Sequence, residues 1–323
     1  MNFPVTSSPH IHSRENTSRI MADVCIALLP ALVVGVLQNG SRTLTVTLTS
    51  ILTAVACEGL FRLLTRKHNT LPDLSAVVTG LLLAMTLPAA VPYWVAALGA
   101  AFAVLVTKGL CGGLGQNPFN PALAGRALLM LVFPVYLTRY PAPGTMLPLG
   151  STADVVTSAT PLHSMQMPAL PENSLLDLLL GRTGGYVGEV SALALLLGGA
   201  YLVYRKVISP RIPLCYVGTV AVLTLLFHKT DSALSWMLCS VFSGGLLLGA
   251  IFMATDYASA PVTPMGQMIY GALCGLLTVV FRYTGLYPEG VTYAILLSNA
   301  AAPLIDRWTA PVRFGTQEGG QTE

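Results

Sequence analysis

Long apolar runs separated by short polar stretches set the pattern of this chain. Runs near the roughly 17–25 residues that a hydrocarbon layer requires occupy positions 20–38, 43–64, 92–109, 119–137 and 186–204, and each predicts a membrane-spanning helix. Five further runs, at 74–87, 213–228, 233–253, 265–282 and 288–304, have less definite limits, and some are short enough to be broken or tilted. Apolar positions are continuous within each run rather than alternating, which predicts helices and not the strands of a barrel. The expected fold class is an all-α membrane protein with about ten transmembrane helices.

The runs divide into two groups of five around a long polar stretch. This predicts a segment at 1–19, a first five-helix repeat at 20–137, a connecting loop at 138–185, a second five-helix repeat at 186–304 and a tail at 305–323. An odd number of helices per half inverts the second half relative to the first, an arrangement common in transporters. A weak internal echo agrees, because Gly80-Leu81-Leu82-Leu83 returns as Gly245-Leu246-Leu247-Leu248. Both copies run into irregular polar sequence, Thr86-Leu87-Pro88 and Thr255-Asp256-Tyr257, where a helix can break inside the membrane.

Composition strengthens the membrane reading: 54% of residues are hydrophobic and 10% charged, with a mean hydropathy of +0.68. Charge adds an orientation. With the N-terminus in the cytoplasm, twelve of the 17 lysines and arginines lie on or near that side, and Arg42, Arg139, Arg182, Lys229 and Arg282 lie outside. Both termini are then cytoplasmic and the 138–185 loop is exterior. The opening segment has no apolar core of signal-peptide length, so cleavage is not expected. The six cysteines and five histidines form no ligand cluster, so no metal or iron–sulfur site is expected, and a net charge of +3 carries no message about nucleic acid.

Three places carry candidate chemistry. The stretch Gly112 to Arg126 has glycines that allow close approach, and Asn117 and Asn120 each precede a proline. The two amides match the pyrimidine edge of a flavin or a polar headgroup. Arg126 faces an interior cavity or snorkels to the surface, and the sequence leaves both readings open. The second place is the polar loop Asp154-Val155-Val156-Thr157-Ser158-Ala159-Thr160-Pro161-Leu162, whose Ser/Thr-x-Ala-Thr order reads as a covalent flavin anchor. There, Thr157, Ser158 and Ala159 keep the backbone approachable, Thr160 offers the hydroxyl, and Pro161 interrupts a helix. On local composition alone it is an ordinary small-residue loop. The third is a pair of acids for a cation pathway, Asp256 first and Glu189 second. Asp23 and Glu58 are expected instead to pair locally with Arg19 and Arg62.

The chain resembles the D subunit of the Rnf complex, and through it the B subunit of the sodium-translocating NADH:quinone reductase. The resemblance rests on Ser8-Pro9-His10, on Thr17 to Pro30, on Gly112 to Arg126, on Asp154 to Leu162 and on Phe252 to Thr263, and it spans essentially the whole chain. It implies a urea-channel-like architecture in a bacterial or archaeal cytoplasmic membrane, with FMN linked through phosphate to Thr160 by a flavin transferase. It also implies a further flavin held non-covalently, riboflavin among the choices, for which Asn117, Asn120 and Arg126 are the first candidates. Electrons would pass between ferredoxin and NAD through several Rnf subunits, coupled to Na+ or H+ export, with no complete active site in this chain alone. Many relatives have glycine where Ser158 stands, a departure inside the flavin motif. The alternatives are the quinone-reductase subunit itself, a non-redox urea-channel-like transporter, and an assembly subunit.

Overall fold

A computed structural model of the chain describes residues 16–66, 71–113, 115–148, 160–166, 174–189, 191–285 and 289–311. The described residues form an all-helical bundle. Its first half contains α1 (Thr17–Asn39), α2 (Ser41–Thr65), α3 (Ser75–Met85), α4 (Tyr93–Leu110) and α5 (Pro121–Val132). Its second contains α6 (Ala192–Tyr204), α7 (Arg211–Leu226), α8 (Ala233–Phe242), α9 (Leu246–Met253), α10 (Pro264–Thr284) and α11 (Val291–Thr309). Of these, α1, α2, α4 and α10 are each long and apolar enough to cross a membrane. The α8–α9 pair meets the same test as one span bent by 58°.

Local chemistry sets the starts of several helices. Asn120 caps α5, its Oδ1 accepting from the N–H groups of Ala122 and Leu123, with Pro121 in the first turn. Thr263 and Pro264 repeat that device at α10. Along α2, threonine hydroxyls donate to the carbonyl four residues earlier, as Thr47 does to Thr43 and Thr53 to Thr49. These bonds satisfy hydroxyls that would otherwise face hydrocarbon.

Burial separates two kinds of helix. On α1 and α2 large apolar side chains such as Leu37 and Leu52 are exposed, as suits lipid contact. By contrast α9 is buried at every position and α3 at all but one, the mark of a helix enclosed by protein. Both begin after a residue in the left-handed region, Leu74 (φ 57°) and Gly245 (φ 63°). The run expected at 233–253 is interrupted at Ser243–Gly245, because two successive glycines at positive φ cannot continue a helix.

The halves are clasped together by α1 against α6 and by α5 against α11, while α2 packs along α3 and α7 along α10. The α1–α6 crossing is close enough that a Cβ at Gly198 would lie 2.1 Å from the Ala27 carbonyl oxygen. We expect Gly198→Val to cost about 1–3 kcal/mol through overpacking, measured as a lower unfolding midpoint in detergent. Gly218→Val on α7, where no atom lies within 4 Å of the added Cβ, should leave the midpoint nearly unchanged.

Candidate functional site

The α5 cap and the residues that follow it organise two stacked polar regions. Nearer the start of α5 is an open cleft of about 770 Å³ that brings Asn117, Asn120 and Asp256 together, with Lys108 and Tyr257 on its wall. The Asn120 amide is already engaged at both ends, capping α5 through Oδ1 and donating through Nδ2 to the Met253 carbonyl at 3.1 Å. Asn117 donates to the Phe119 carbonyl, and its buried Oδ1 has no partner among the described residues.

Asp256 is half-buried and accepts from the Ser259 hydroxyl at 3.1 Å and from the N–H groups of Tyr257 and Ala258. Lys108 closes the edge of the cleft, 2.7 Å from Glu58 and 2.6 Å from the Ser75 hydroxyl. Glu58 is ion-paired to Lys108, fifty residues away. Likewise Asp23 receives Arg205 at 3.0 Å and the Tyr201 hydroxyl at 2.8 Å. Helix packing supplied these partners from distant parts of the chain.

About 9 Å further along α5, Arg126 turns inward. Its Nη1 donates to the Thr86 carbonyl at 2.8 Å, its Nη2 is ion-paired to Glu289, and its guanidinium lies 4.0 Å from the centre of the Tyr186 ring. It is 6% exposed, so the snorkelling alternative is excluded. Tyr140 donates to the other Glu289 oxygen at 2.9 Å and shares a 2.6 Å hydrogen bond with Tyr186. Burial and the Glu289 carboxylate hold the Tyr140 phenol far above its ordinary range, so it remains a donor.

Glu189 lines the same 330 Å³ pocket. One of its oxygens accepts from the Gly244 N–H at the bend before α9, and the other is buried with no partner among the described residues. Backbone bonds from Val187 to Leu87 and from Gly188 to Met85 bring Glu189 to the end of α3 as well. The pocket therefore joins the end of one enclosed helix to the beginning of the other.

Sequence reasoning did not single out Glu289, Tyr140 or Tyr186. They lie in irregular segments, where no period marks an inward position. Two further buried arginines were also missed, both having been assigned to the exterior face by charge counting. Arg42 donates to the carbonyls of Ala89 and Val91, and Arg282 donates to those of Ser240 and Ser243. An arginine beside a break was the available signal.

Thr160 is 5% exposed and directly precedes a helical turn, Pro161–Ser164. Asp154, Thr157, Ser158 and Ala159 lie outside the described residues. Beside Thr160, Leu162 and Met165 form one wall of a second 330 Å³ pocket whose other walls include Lys229, Trp236, Arg282 and Tyr283. The sequence-derived candidates thus fall in three places: Asn117, Asn120 and Asp256 in the cleft, Arg126 with Glu189 in the central pocket, and Thr160 at a third.

The sequence model of the NQR2, RnfD, RnfE family matches residues 4–315. The D subunit of the Na+-translocating ferredoxin:NAD+ oxidoreductase complex of Acetobacterium woodii is 45% identical, over 98% of this chain and 96% of its own length. Its counterpart in the proton-translocating ferredoxin:NAD+ oxidoreductase complex of Clostridium ljungdahlii is 42% identical, over 98% and 97%. The D subunit of the ion-translocating oxidoreductase complex of Escherichia coli O7:K1 is 36% identical, over 99% and 100%.

Removing Arg126 would leave Glu289 buried without its counter-charge. We expect Arg126→Leu to destabilise the fold by about 3–5 kcal/mol, with much of the loss restored when Glu289→Leu is added. Unfolding midpoints of the single and double variants in detergent check this.

Proposed function

Because the chain belongs to the NQR2, RnfD, RnfE family, we propose that it is the D subunit of an Rnf-type complex. In this reading it is a membrane flavoprotein that relays electrons between ferredoxin and NAD and contributes to coupled ion export. The observation that carries the proposal is identity of 45% and 42% over 98% of the chain to two relatives that bear that subunit's name. Those relatives are named for different ions, Na+ and H+, at nearly equal identity, so overall likeness does not choose the coupling ion.

Counting α8 and α9 as one broken span gives five membrane elements on each side of the 138–185 connection, the number that two inverted repeats require. The bias of lysine and arginine then supports cytoplasmic termini and an exterior Thr160 in a cytoplasmic membrane. Its partners are the other Rnf subunits and a flavin transferase.

In this reading the Thr160 hydroxyl carries FMN through a phosphoester, and Lys229 and Arg282 supply positive charge near the phosphate or the ring. When bound, the flavin supplies one-electron transfer at a potential set by its surroundings. Burial of Thr160 implies that the transferase acts before the Thr160–Met165 segment docks. The cleft is assigned to the second, non-covalent flavin, riboflavin or another, with Asn117 as an available acceptor and Asn120 shaping the wall. Arg126, tied to Glu289 and Thr86, supports the neighbouring pocket and does not reach into this cleft from its present position. Asp256 and Glu189 are the acids proposed for the cation path.

Two measurements test the reading. Peptide mass spectrometry of the chain co-produced with a flavin transferase is expected to find FMN on the Thr160 peptide and none in Thr160→Ala. An unmodified peptide beside an active transferase would sink the covalent-carrier assignment. Asn117→Ala is expected to reduce non-covalent flavin recovered after denaturation by about tenfold, on the order of 1.4 kcal/mol, with the Thr160 adduct retained.

A further inference from the structure

Among the described residues, two helices change their winding where they reach the open cleft. The last eight residues of α4, Ala103–Leu110, and the last five of α9, Gly249–Met253, are wound as π-helix, a rare form that is frequent at functional sites. They bring Lys108 and Phe252 to the cleft wall. Lys108 is 3% exposed, and its ammonium donates to Glu58 at 2.7 Å and to the Ser75 hydroxyl at 2.6 Å. Lys108 and Ser75 line the cleft and Glu58 does not, so the ion pair presents its positive end to that space. Asp256, the acid of the cleft, is held separately by the Ser259 hydroxyl and the N–H groups of Tyr257 and Ala258. The next charges acting on Lys108 are Arg62 and Asp73, which are opposite in sign and partly offset each other. Past Asp256 the cleft continues into a groove of about 650 Å³, since Ile208, Thr255, Asp256 and Tyr257 line both. A ligand lying against Lys108 thus has room to extend past Asp256.

Resting on the assignment of the cleft to a non-covalent flavin, we propose that the Lys108–Glu58 pair raises that flavin's reduction potential by its orientation, with the ammonium toward the ring and the carboxylate behind it. Reduction in the relay adds one electron, donated by the preceding reduced carrier of the complex, and no bond is made or broken. The added negative charge meets the nearer, positive end of the pair. Both members are buried, and at low dielectric a nearby charge acts more strongly than in water. A lone ammonium would be costly to bury here, whereas a compensated pair is tolerated and still carries a direction. The two members must therefore act on the potential with opposite signs, a result that loss of packing does not produce.

The test uses the full chain in nanodiscs, carrying Thr160→Ala so that no tethered flavin contributes, loaded with riboflavin and titrated reductively while its absorbance is followed. Mildly acidic buffer keeps the proton on an ammonium that has lost its partner. Lys108→Met is expected to disfavour the reduced form about tenfold, or about 59 mV for a one-electron couple. Glu58→Gln is expected to favour it by a similar factor, and Lys108→Arg, which keeps the charge, to stay closer to the unaltered cleft than Lys108→Met does. Should a single variant fail to fold, Lys108→Met combined with Glu58→Gln buries no unpaired charge, and its potential is expected to lie below that of the unaltered cleft. Bound riboflavin whose potential is unmoved in the double variant, or moves in the same direction in both single variants, would overturn the proposal. If the cleft with Lys108 and Glu58 intact takes up no riboflavin, the assignment of the cleft itself fails, and this proposal with it.

Discussion

A helix that stops inside hydrocarbon leaves N–H groups and carbonyls that no water can satisfy, and each costs several kcal/mol if left bare. This chain has two enclosed short helices, α3 and α9, and its interior is arranged around the polar groups where they begin and end. Arg126 takes the Thr86 carbonyl and Arg42 those of Ala89 and Val91, just beyond α3. Before α9, Arg282 takes Ser240 and Ser243, and Glu189 takes the Gly244 N–H. Beyond α9, Asn120 takes the Met253 carbonyl. These side chains stabilise breaks that would otherwise be excluded, and the breaks open the pockets.

The same constraint accounts for the buried charges. Arg126 is balanced by Glu289 and Lys108 by Glu58, in pairs whose members come from distant parts of the chain. Burying one such ion alone costs far more than burying the pair. These two pairs lie next to backbone that also needs partners, and Arg42 and Arg282 are held by backbone carbonyls.

The cleft and the central pocket differ in which polar groups remain available. Around Arg126 both terminal nitrogens and both Glu289 oxygens are engaged, while the Arg126 Nε and one Glu189 oxygen have no partner among the described residues. In the cleft, Asn117 retains an acceptor, Asp256 remains half exposed, and the volume is more than twice that of the central pocket.

Apolar run length was enough to read the helical class and most of the elements, because a hydrocarbon environment requires long uninterrupted apolar segments. The Asn120-Pro121 and Thr263-Pro264 caps were not read as helix starts, although capping depends on adjacent residues. Family motifs identified Asn117, Asn120, Asp256 and Thr160 as positions of interest. Only the tertiary structure decided who meets whom: Glu58 with Lys108, Asp23 with Arg205, and Arg126 with Glu289 across 163 residues. It also decided that Arg42 and Arg282 are buried in the protein, which a count of charges by membrane side does not address. Those pairings depend on how helices cross, and the position of a break in one helix fixes its partner in another only after both have packed.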